Sequence, residues 1–100
     1  MTYTKVLSDW SNYQSTIRDQ DYAKAKNYMG LFLDAAKELQ AGQVPDDAIQ
    51  HLDIVVDYFE KVHAALGKGS LGDVSEKDTL EYSLANSRLA LAGVRACYGG

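Results

Sequence analysis

The chain has a single cysteine, Cys97, and a single proline, Pro45. One thiol cannot form an intramolecular disulfide or supply a multi-thiolate zinc site, so neither staple is open to this fold. One proline leaves long stretches free to be helical. Extended apolar runs are missing too: none approaches the ~20 residues of a membrane span, and the first dozen residues lack the basic-then-apolar order of a secretory leader. A soluble, cytoplasmic protein with no membrane partner is therefore expected. Cationic excess is absent as well. Ten lysines and arginines face fourteen aspartates and glutamates, a formal net charge of −4. With no surplus of cations to neutralise phosphates, direct binding to nucleic acid is disfavoured. Sustained alternation of apolar and polar side chains, the mark of a half-buried strand, occurs nowhere.

What is there is ordinary globular material. One hundred residues, 46% hydrophobic and 24% charged, make one domain over 1–100 with room for one modest core. Four stretches carry helical periodicity. Tyr3, Val6, Trp10, Tyr13 and Ile17 recur at three- and four-residue steps, although the Ser, Asn and Thr around them make this helix weak without packing. Asp19 or Asp21 can cap the next helix, whose inner face is Tyr22, Ala25, Met29, Phe32, Ala36 and Leu39. Gly42 is placed to stop it in the left-handed conformation.

Pro45 opens a third helix with Asp46 and Asp47 in its first turn, where the helix dipole favours them. Ile49, Leu52, Val56, Phe59, His63 and Leu66 are its core stripe and Gly67 its end. Gly67, Gly69 and Gly72 form a flexible link. Ser75 and Asp78 then make a capping-box variant. Leu80, Leu84, Ser87, Leu91 and Val94 read as the inward stripe of a fourth helix, closed by Gly99 and Gly100. Four helices with short connections predict an all-α, up-down-up-down bundle, with a three-helix core and a loosely docked N-terminal helix as the alternative.

The net charge is concentrated on the third helix. Residues 44–66 hold Asp46, Asp47, Asp53, Asp57 and Glu60 against Lys61 alone, and the acids and bases of the remaining chain cancel. At ~100° per residue, Asp46, Asp53, Asp57 and Glu60 fall within a sector of about 60°. The ridge they form is roughly 20 Å long. A plain solvated helix face would account for it. Like charges at three- and four-residue spacing repel, however, and the rest of the chain intersperses its charges. The ridge can instead be a docking surface whose potential selects a basic partner and speeds encounter.

Two apolar features exceed what a simple bundle needs. Ile54 and Tyr58 stand beside the acidic ridge, on a side such a bundle exposes. On the fourth helix Tyr82, Leu89, Ala92 and Ala96 form a second stripe opposite the first. A helix apolar nearly all round is buried centrally or shared with another chain. Ala90, Gly93 and Cys97 are small enough for a second helix to approach closely.

Catalytic patterns are scarce. Glu60 and His63 make one Glu-x-x-His, but a di-metal bundle needs two such motifs and two further inward carboxylates, and His51 has Ala48 three residues before it. Gly67-Lys68-Gly69-Ser70 fails as a phosphate loop, because Val62 stands where that motif requires glycine and no strand precedes it. No cofactor, metal or catalytic set is expected. The residues point to a non-enzymatic interaction protein, an inhibitor or adaptor that docks through Asp46, Asp53, Asp57, Glu60, Ile54 and Tyr58 on a basic surface of a larger protein. Nucleic-acid-handling proteins are one class with such a surface, and small acidic chains that phages and mobile elements direct against host defences are the analogy. The alternatives are a structural homo-oligomer, at its simplest a homodimer, assembled through helix four, and a small metal- or ligand-binding bundle.

Overall fold

A computed structural model of the chain describes residues 3–42 and 44–91, with the side chains of residues 8–42, 44–89 and 91. The described residues form four helices and no strand: α1 Tyr3–Arg18, α2 Tyr22–Ala41, α3 Asp46–Gly67 and α4 Glu76–Leu91. This is the small all-α bundle that the periodicity predicts.

Local chemistry sets the helix ends. Asp21 caps α2 by accepting from the Lys24 backbone N–H at 3.3 Å. Ser75 and Asp78 close a reciprocal box at the start of α4: the Ser75 N–H donates to the Asp78 carboxylate and the Asp78 N–H to the Ser75 hydroxyl, each at 3.1 Å. Pro45 precedes α3 with φ −54°, and Asp46 and Asp47 occupy the first turn. Gly42 departs from expectation. It stops α2 in an extended conformation, φ −88°, its N–H bonded to the Leu39 carbonyl, so the left-handed closure predicted there does not occur. That closure appears instead after α3 at Gly69, φ +77°, where the Gly69 and Ser70 N–H groups turn back onto Leu66 and Ala65. α1 ends in the same way at Gln20, φ +59°, with Asp21 N–H bonded to Thr16 at 2.8 Å.

The pairing is antiparallel. Between α2 and α3, Lys26 lies beside Gly67, Gly30 beside His63, Lys37 beside Glu60 and Gln40 beside Asp53, one number rising as the other falls. Lys61 with Asp78 and Tyr58 with Tyr82 give the same sense for α3 and α4. Backbones approach closely in chain order, α1 on α2, α2 on α3 and α3 on α4. No Cα of α1 comes within 8 Å of one in α4 among the described residues. The two outer helices meet through side chains, Trp10 lying 6.4 Å from Tyr82 by ring centroid. Among the described residues the bundle is thus closed on three seams and open on the fourth.

Phe32, Phe59, Met29, Leu52, Leu89, Val55 and Val62 are the largest fully buried side chains, each contributing about 1.5–3 kcal/mol by leaving water. Phe32 is the hub: Trp10, Tyr13 and Phe59 all lie within 6.3 Å of its ring centroid. On α3 the core stripe runs through Ala48, Val55 and Val62 as well as Leu52, Val56, Phe59 and Leu66, while Ile49 is exposed and His63 only half-buried.

The faces of α4 are the reverse of those predicted. Tyr82, Ala85, Asn86 and Leu89 point inward, and Leu89 is fully buried. Leu80, Leu84 and Leu91 stand out at 70%, 51% and 89% exposure. Tyr82 decides the matter, because its ring fits between Tyr58 at 4.5 Å and Phe59 at 5.4 Å, and a helix can turn only one stripe toward that slot. Tyr82 and Leu89 therefore belong to the protein's own core and are not an intermolecular face. Ala92 and Ala96, with Gly93, Val94 and Cys97, lie outside the described residues.

Candidate docking surface

The outward side of α3 carries Asp46, Asp47, Asp53, Asp57 and Glu60, all exposed. α2 flanks this ridge on one side and α4 on the other. From α2, the Gln40 amide donates to the Asp53 carboxylate at 2.6 Å and Lys37 pairs with Glu60 at 3.4 Å. Both partners of that ion pair are about half exposed, so it is worth little and leaves the glutamate accessible. Asp46, Asp47 and Asp57 make no ion pair among the described residues. Of the four ridge acids, one has a cation and one a neutral amide.

Lys61 is the cation on α3 that could relieve this repulsion, and it turns away. Its ammonium reaches across to Asp78 of α4 at 2.6 Å. The Lys61 hydrogen bond, followed by those from the Ser75 backbone and hydroxyl, holds the Asp78 carboxyl at about 2, below its ordinary 3.8. A depressed carboxylate stabilises the fold fully above the ordinary value and loses that contribution as pH falls through 2. The α4 cap and its link to α3 should therefore persist at pH 4 and release between about pH 4 and 2. A carboxyl-carbon NMR titration should find the Asp78 midpoint near 2 in the wild type, moving up toward 3.8 in Lys61→Met; an unmoved midpoint would assign the effect to the cap alone.

Asp57, Asp78, Glu81, Ile54 and Tyr58 line a shallow groove between α3 and α4. Ile54 is 38% exposed and available there. Tyr58 is less so: it is half-buried, its ring stacked on Tyr82 and its hydroxyl 3.3 Å from that of Thr79. Glu81 adds a carboxylate at the α4 edge of this groove, whereas the Asp78 charge is met by Lys61.

A second concavity follows the open seam. Trp10, Tyr13 and Ile17 of α1 face Thr79 and Tyr82 of α4 over Met29. Burial, with the Tyr58 phenol nearby, holds the Tyr13 phenol above its ordinary range. The apolar spacing singled out Trp10, Tyr13, Ile17 and Tyr82, but only the placement of the two helices brings them together.

The described residues contain no group of three or more His, Cys, Asp or Glu side chains able to hold an ion. His63, from the Glu-x-x-His, lies against Gly30 of α2, its Nε2 3.7 Å from where a Cβ would stand. No helix among the described residues is long and apolar enough to cross a membrane. Comparison with known protein families, with curated proteins and with solved structures finds no match to this chain.

Proposed function

We propose that this protein is a non-enzymatic interaction module, a small acidic inhibitor or adaptor that docks through the outer face of α3 on a basic surface of a larger protein. The observation that carries this reading is the arrangement of Asp46, Asp53, Asp57 and Glu60: exposed on one helix face, with Glu60 alone paired to a cation among the described residues. Such a ridge is costly to the isolated fold, since acids at this spacing repel by a few tenths of a kcal/mol each. A cationic surface relieves the repulsion on contact, and the long-range potential guides encounter. Ile54 at the edge of the ridge supplies apolar area beside the charges. A partner that handles nucleic acid has the required basic surface.

The test is charge reversal on the ridge. Immobilised wild-type protein is expected to retain its partner from an extract of the source cell at about 0.05 M salt and release it by about 0.5 M, where the screening length is only a few Å. The double variant Asp53→Lys, Asp57→Lys should keep its helical circular dichroism and retain nothing specific. Equal retention by the two proteins would remove the ridge from the contact.

A further inference from the structure

We propose that the protein also pairs with a second copy of itself through the outer face of α4, the two helices lying antiparallel about a two-fold axis. This interface is separate from the acidic ridge and does not depend on it. Leu80, Leu84, Ser87 and Leu91 follow one another at intervals of four, three and four residues, the spacing of a coiled-coil seam. All four are exposed, directly opposite the stripe of Tyr82, Ala85 and Leu89 that fills the core. α4 thus has one apolar seam for its own bundle and a narrower one turned to solvent. Three exposed leucines lie on one face within about four turns, and covering them removes apolar area from water.

Charge identifies the occupant. Glu81 and Arg88 each follow a seam position by one residue, both on the side toward α3, and both are exposed. Glu81 has only a loose 3.9 Å contact with Lys77, and Arg88 makes no ion pair among the described residues. With the axis between Leu84 and Ser87, an antiparallel second copy sets its Leu91 against Leu80 and its Ser87 against Leu84. The same placement brings Glu81 of each chain beside Arg88 of the other, twice. That is the self-complementarity an isologous interface demands. Parallel pairing would set Glu76 of each chain near Glu81 of the other, two acid–acid contacts, so the flanking charges select the antiparallel form. Ser83 on the opposite flank is small and leaves room for close approach.

Two heptads bury little area, so the dimer belongs among weak interfaces and forms at about 100 µM. Sedimentation equilibrium of the full chain from about 10 µM to about 1 mM should show the average mass rising from 11.0 kDa toward twice that value. Leu84→Glu should remain monomeric throughout with unchanged helicity. Glu81→Arg and Arg88→Glu should each weaken association about tenfold, and the two substitutions combined in one chain should restore it. A wild-type mass of 11.0 kDa at every concentration would overturn the proposal. So would a Leu84→Glu protein that associates as the wild type does, or a double charge swap no better than its singles.

Discussion

Leu89→Asp should unfold the protein, while Leu84→Asp, one and a half turns away on the same helix, should leave it folded. Leu89 is fully buried and Leu84 half exposed. The first substitution removes a core side chain and puts a carboxylate into the buried face of α4, a loss of about 5 kcal/mol or more. That rivals the whole stability of a domain of this size. The second exchanges one solvated side chain for another and should shift stability by about 0.5 kcal/mol or less. Urea unfolding followed by circular dichroism, at protein concentrations in the low micromolar range, checks both. Comparable stability of the two variants would mean that α4 is not seated by the Tyr82–Leu89 face.

Phe32→Ala should cost about 3–5 kcal/mol, the range for deleting a fully enclosed aromatic ring. Its consequence is also spatially specific. Phe32 packs against Trp10 and Tyr13 of α1 on one side and Phe59 of α3 on the other, so it is one of the contacts through which α1 joins the core. Trp10 is the only tryptophan, and its emission should move to the red as α1 loosens, before the helical signal of α2 and α3 is lost. Leu31→Ala, at an exposed neighbouring position, should change neither the emission nor, beyond about 0.5 kcal/mol, the stability. Coincident loss of both signals in Phe32→Ala would show α1 to be part of one indivisible cooperative unit.

Much of this architecture was legible from the residues in order. The helices of α2 and α3 declare themselves by spacing, because Met29, Phe32 and Ala36, or Leu52, Val56 and Phe59, leave only one face to bury. The caps at Asp21 and at Ser75 with Asp78 are local chemistry and need no tertiary context. The inner face of α4 was not legible, for a physical reason. Leu80, Leu84 and Leu91 are as apolar as Tyr82, Ala85 and Leu89, and composition cannot rank two stripes of similar hydrophobicity. The choice rests on how the Tyr82 ring fits between Tyr58 and Phe59, which are more than twenty residues away. The ridge on α3 divides along the same line. That its acids share a face follows from ~100° per residue. That Gln40 meets Asp53, Lys37 meets Glu60 and Lys61 leaves for Asp78 depends on the registers α2 and α4 adopt against α3.

The position of α3 in the chain order has a kinetic side. It is clamped by a neighbour along each flank, whereas α1 and α4 each have one such neighbour among the described helices. Its backbone is accordingly among the last parts of the molecule to fray. Negative charges mounted there are preorganised: little backbone freedom remains to be lost when an oppositely charged surface arrives, and only exposed side-chain rotamers settle. A rigid presenter of this kind suits the docking role proposed for this face, in the manner of a fixed template rather than a segment that folds as it binds.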